Sequence, residues 1–174
     1  MSTTVFIKDV EKNAAVEALL FDNIDDSHLK NYRDNWGPLI QDYCGRLIKE
    51  GHDKTSSIWP QSWHWDWTTK MKEVEGLLGT ACYCISCDDE TQGMMRIDLT
   101  KTARLPDQMN MPLVYIDYLE VAPWNWDEFY ADPAKYRGVG PVLISAAINR
   151  SLEEGFQGRI GLHSLPQAIE FYER

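Results

Sequence analysis

Two glycines one residue apart, in Lys135-Tyr136-Arg137-Gly138-Val139-Gly140, form a turn able to hold an anion. Before it runs an apolar, β-rich stretch, Leu113–Val121, and after it Pro141–Leu152 has helical spacing. A strand feeding a glycine turn that opens a helix aims backbone N–H groups and the positive helix end outward, usually at phosphate. The glycines let the backbone approach a diphosphate with no Cβ in the way. Pro141 suits the first helical turn, where its missing N–H costs nothing. The turn lacks the Lys-Ser/Thr ending of a P-loop and the third glycine of a dinucleotide fingerprint, which disfavours a nucleotide.

The order lysine, two residues, glycine, one residue, glycine resembles the acyl-CoA signature of the GNAT N-acetyltransferases. That family usually begins it with Gln or Arg, where this chain has Lys135. Leu119-Glu120-Val121-Ala122-Pro123 resembles the end of the family's fourth strand, and Arg159–His163 its fifth. Ala168-Ile169-Glu170-Phe171-Tyr172 resembles its last helix. Together these pieces cover roughly the C-terminal third of the chain.

The resemblance implies an α/β fold (an α+β mixed sheet), mostly antiparallel and splayed between its fourth and fifth strands, with helices on both faces. It implies acetyl-CoA as the cofactor in that gap, and direct attack of an amine on the thioester. On this basis Leu119, Glu120 and Val121 would offer backbone N–H groups to the thioester and pantetheine. Lys135, Tyr136, Arg137, Gly138, Val139, Gly140 and Pro141 would hold the diphosphate. Tyr172 aligns with the tyrosine that often protonates the departing thiolate in relatives. Relatives often place a carboxylate near Asp117, on the fourth strand, and Glu120 just beyond it; Asp117 is the favoured base, since a partly buried cleft raises a carboxylate's pKa towards neutrality, and water is the other acceptor. Leu165 stands where the family tends to carry an asparagine. Members also continue past the equivalent of Tyr172 into a closing strand pair, whereas this sequence ends at Arg174. The closing strands are thus expected to be missing or supplied by a second copy, which makes a homodimer an expectation. A non-catalytic CoA-binding sensor or interaction module is the alternative function.

Composition bounds the partners. At 174 residues and 44% hydrophobic, the chain suits one domain, 1–174, with a sizeable core. A net charge of −10 argues against nucleic acid and suits a cationic small-molecule or peptide amine. No run is apolar enough to span a bilayer and the N-terminus lacks a signal-peptide pattern, so a cytoplasmic protein without membrane contacts is expected. Cys82, Cys84 and Cys87 lack the spacing of a zinc knuckle, so no metal is expected. Cys82 and Cys84 would share one buried strand face as reduced thiols.

The elements that must position these residues follow from periodicity. Thr3–Val10 reads as a strand and Glu11–Phe21 as a helix. Leu29, Tyr32, Trp36, Ile40, Tyr43 and Leu47 mark one helical stripe, kinked or broken at Gly37-Pro38. Trp63–Trp67 reads as a strand with three tryptophans on one side and His64 with Asp66 on the other, towards an acceptor pocket. Gly79–Ser86 and Met94–Thr100 read as strands joined through an acidic turn, Asp88-Asp89-Glu90. Trp124–Ala134 reads as an insertion near the cofactor mouth, and His163, ending the last strand, as a structural histidine or an acceptor contact.

Overall fold

The computed structural model describes residues 1–126 and 133–165. It opens on a hairpin, β1 (Ser2–Asp9) against β2 (Ala14–Phe21). The helix expected over Glu11–Phe21 is therefore overturned. Asn13 takes a left-handed φ of 48°, reversing the chain, and Val16, Ala18 and Leu20 then alternate into the core. Ala and Leu favour helix in isolation, and pairing along the full length of β1 overrides that weak preference.

Next come α1 (Asp26–Asn31), a π-helical turn over Tyr32–Trp36, and α2 (Gly37–Lys49). Asp25 caps α1, accepting from the N–H groups of Ser27 and His28, while its own N–H donates to His28 Nδ1 at 3.2 Å. The π turn resolves the Gly37-Pro38 interruption: one wider turn keeps every member of the expected stripe buried on both sides of it. Each such side chain contributes roughly 2 kcal/mol on leaving water.

Trp63–Trp67 is not a strand. Asp66 accepts from Thr68 N–H at 2.9 Å and from the Thr69 hydroxyl at 2.7 Å, capping α3 (Trp67–Lys72). The Asp-x-Thr-Thr cap signal wins over the aromatic alternation. Trp67 is sealed in the core, Trp65 is half-buried, and Trp63 is exposed against Trp59 and Lys54.

β3 (Thr80–Cys87) and β4 (Glu90–Asp98) form a second hairpin through Asp88-Asp89, both at positive φ, the geometry a two-residue turn demands. β5 (Val114–Val121) follows, then a short strand β6 (Tyr136–Arg137), α4 (Val139–Glu153) and β7 (Ile160–Leu162). The seven strands run β6-β1-β2-β3-β4-β5-β7, antiparallel throughout except for the parallel pair β5–β7. That pair holds only for Val114–Ile116 against Ile160–Leu162. Beyond Ile116 the far half of β5 has no parallel partner among the described residues, as the expected splay requires. α4 packs on one face with Ile85, Met95, Ile97, Val114 and Ile116. The opposite face carries Leu29, Trp36, Trp67, Cys82, Cys84 and Met94. The expected last helix and the question of closing strands fall at residue 166 onwards, outside the described residues.

Candidate active site

The glycine turn takes up the geometry its sequence asks for. Gly138 has φ +93°, a left-handed value that favours glycine, and stands as the N-cap of α4, where it has no side chain to bond the helix's first turn. The first intrahelical bond to it runs from Val142 N–H to Gly138 C=O, 3.0 Å. The amides of Val139 and Gly140 lie ahead of that bond, and Pro141 has no N–H to give. Val139 is buried and seats the turn on β4. A Cβ built on Gly93 would lie 2.6 Å from Val139 Cγ1 and 3.1 Å from Leu143, so only glycine lets α4 sit this close.

Strand alternation decides what β5 offers. Ala122 N–H donates to Gln92 C=O at 2.9 Å, which turns the backbones of Ala122 and Glu120 towards β4. Leu119 and Val121 therefore direct their N–H groups to the splayed side, where Trp126 Nε1 also donates to Val121 C=O at 3.0 Å. Of the three expected backbone donors, two face the gap, while Glu120 reaches the opposite face of the sheet through its side chain.

Two β-bulges set the remaining chemistry, and nothing in the local sequence marked them. In the β3–β4 register, Ser86 pairs with Thr91 and Ile85 with Gly93, leaving Gln92 as the extra residue. The bulge aims its buried side chain at the segment leading to the turn. Gln92 Oε1 accepts from Trp124 Nε1 (2.8 Å) and Asn125 Nδ2 (3.1 Å), and Nε2 donates to Cys87 C=O (3.2 Å). Asn125 Oδ1 accepts from Tyr136 N–H at 2.9 Å, and the buried Tyr136 hydroxyl donates to Asp88 at 2.6 Å. The turn is thus hung from the hairpin by consecutive hydrogen bonds. Gln92→Leu would strand the Trp124 and Asn125 donors, and a melt is expected to show a loss of about 2–4 kcal/mol. An unchanged melt would mean that the network does not hold the turn.

Lys135 is drawn into the same structure. Its Nζ donates to Glu90 at 2.6 Å and lies 5.2 Å from the centre of the Tyr136 ring, so its charge is matched inside the protein. Arg137 is exposed on β6, paired with Lys8 across the strand.

The second bulge falls at Asp117: Arg96 pairs with Tyr118 and Ile97 with Ile116. The face of β5 flips there, so Val114 and Ile116 meet α4 while Tyr118 and Glu120 point to the other side. Asp117 is half-buried, with Oδ2 3.4 Å from Arg96 Nε. Burial raises its pKa, and the guanidinium opposes that rise. Glu120 is more strongly perturbed. Its Oε2 accepts from Trp67 Nε1 at 2.6 Å, and Oε1 is sealed from solvent with no partner in hydrogen-bond geometry. Burial pushes its carboxyl up to about 7, and the Ser62 hydroxyl, the Trp67 indole and the Lys70 charge pull against this. Along the strand Glu120 lies just beyond Asp117, where relatives often place a carboxylate; its neutral-range carboxyl follows from burial, which strand spacing does not show.

The other candidates separate. His163 pairs its Nδ1 with the Tyr115 hydroxyl beside the β5–β7 ladder. His64 is exposed against Trp63 and Asp66 is a helix cap, so these two line no common pocket. Cys82 and Cys84 do share the buried face beneath α1 and α3, and burial holds their thiols protonated, at about 11 and about 12. Tyr172 and residues 127–132 of the expected insertion lie outside the described residues. Trp124 and Trp126, at the start of that insertion, pack against the α1–α3 face.

No protein-family model and no curated protein sequence matches the chain. Solved structures do. The aminoglycoside N-acetyltransferase AAC(6')-Iy, bound to the bisubstrate analogue CoA-S-monomethyl-acetylneamine, superposes with a TM-score of 0.54 at 15% identity, over 90% of this chain and 85% of that one. The same enzyme with CoA gives 0.52 at 15% identity, over 99% and 84%. A transcriptional regulator from Bacillus halodurans C-125 gives 0.52 at 16% identity, over 90% and 89%. The chain therefore has the fold expected from the resemblance, that of the GNAT acetyltransferases.

Proposed function

We propose that this protein is an acetyl-CoA-dependent N-acetyltransferase acting by direct attack of an amine. One observation carries the reading: among the described residues β5 loses its parallel partner after Ile116, and the left-handed Gly138 turn opens α4 without a side-chain cap. A gap with unpaired strand amides and a helix terminus suit a long cofactor with an anionic diphosphate. AAC(6')-Iy, of the same fold, is bound to CoA and to a CoA-linked neamine analogue.

In this mechanism acetyl-CoA supplies an activated acetyl thioester, and the protein supplies orientation and proton handling. Leu119 and Val121 direct N–H groups at the acyl arm, and Val139 and Gly140 direct theirs at the diphosphate. Lys135, engaged by Glu90, positions the turn. The proton of the attacking amine passes to Glu120, whose environment suits a base near neutrality, with Asp117 as the alternative acceptor. Tyr172 donates to the leaving thiolate, a role taken from the family resemblance.

The test is thiol release from acetyl-CoA across a panel of small and peptide amines. Wild type is expected to turn over at least one cationic amine, and Tyr172→Phe to lower kcat by about 10²-fold with little change in KM for acetyl-CoA. Binding of acetyl-CoA without turnover on any amine would favour the non-catalytic CoA-binding module.

A further inference from the structure

α4 covers one face of β4 and β5, and Tyr118 stands on the opposite face at the start of the free end of β5. On that face the chain already presents an amine of its own. Lys70, on α3, places Nζ 3.3 Å from the centre of the Tyr118 ring and 5.1 Å from that of Trp65. The two rings meet edge to face at 5.0 Å, making a corner of two π surfaces that suits an ammonium group. Tyr118 is the second residue past the last β5–β7 pair, at the start of the splayed segment.

The lysine is held in place. Its main-chain carbonyl accepts from Arg96 Nη1 at 2.9 Å, the same guanidinium group reaches Glu73 at 3.0 Å, and Asp66 caps the short helix. Glu120 lies two residues along β5 from Tyr118, close enough to feel the Lys70 charge. An amine, an aromatic seat and a buried carboxylate thus converge beside the unpaired end of β5.

Resting on the acetyltransferase reading, we propose that Lys70 is an internal acetyl acceptor, modified on Nζ by the acetyl-CoA the protein binds. Deprotonated Nζ attacks the thioester carbonyl carbon, and the new C–N bond forms as the C–S bond breaks. The departing thiolate takes up a proton from solvent and leaves as CoA, while the amine's proton passes to the Glu120 carboxylate. The product is a neutral amide on Tyr118 and Trp65, which removes a positive charge beside Glu120.

The experiment is a time course of the full chain with acetyl-CoA and no other amine, with acetylation at each lysine read by peptide mass spectrometry. Exposed Lys72, on the same helix, reports reaction with acetyl-CoA from bulk solvent. Lys70 is expected to be labelled at least about tenfold faster than Lys72, saturably in acetyl-CoA, with Glu120→Gln slowing Lys70 alone. Because the Lys70/Lys72 ratio is read in wild type, it stands whether or not the variant folds. Lys70 labelling no faster than Lys72, in protein that binds acetyl-CoA by calorimetry, overturns the internal acceptor and leaves the acetyltransferase reading standing. Absence of acetyl-CoA binding overturns both.

Discussion

Glu120→Gln is expected to change how stability depends on pH more than any other conservative substitution in this chain. The unfolded chain releases this proton near pH 4.5, whereas the folded protein keeps it up to about pH 7. Between those values the unfolded state binds fewer protons, so stability contributed by the neutral acid is complete below 4.5 and falls as pH rises through 7. Glutamine keeps an acceptor for Trp67 Nε1 and has no charge to bury. Denaturant unfolding at pH 5 and pH 8 should show wild type losing roughly 2–3 kcal/mol relative to the variant over that range. The kinetic counterpart has the opposite sense: a base must be deprotonated, so wild-type activity should rise through about pH 7, and the variant should lose that rise. Parallel stability curves would mean that Glu120 titrates like an exposed carboxylate.

Gly138→Val should have the largest effect on the cofactor. Valine at φ +93° is strained whatever the space around it, at a cost of about 1–3 kcal/mol, and relaxing that strain moves the turn. Losing two amide contacts to a diphosphate, at roughly 1.5–3 kcal/mol each, lowers acetyl-CoA affinity by about 10²-fold or more. Gly155, at φ +77° just past the other end of α4, is the matched control. Gly155→Val should destabilise comparably and leave affinity unchanged. Equal loss of affinity in both variants would show that it reflects stability rather than the turn.

How far the sequence could be read depended on the range of the forces involved. The stripe from Leu29 to Leu47, the acidic hairpin turn and the glycine turn are local signals: side-chain period, positive φ, helix start. Each stands where the residues placed it. β2 was hidden because Ala-Ala-Val-Glu-Ala-Leu-Leu satisfies a helix equally well until β1 is there to pair with. α3 was hidden because its cap, Asp66, lies inside an aromatic alternation that reads as a strand. The site was legible in the same proportion. Gly138 and the amides beside it follow from the turn, but Gln92 and Asp117 owe their orientation to bulges, which are properties of strand pairs. Glu120 owes its raised carboxyl pKa to burial, which no spacing along β5 encodes.

If the splayed strand and the Gly138 turn form an acyl-CoA site, calorimetric titration of the purified chain with acetyl-CoA will show it. Saturable, one-to-one binding is expected in wild type and Gly155→Val, at micromolar affinity or tighter, with none in Gly138→Val. No heat and no thermal stabilisation of folded wild type by acetyl-CoA would contradict the claim, leaving the fold in place without the activity.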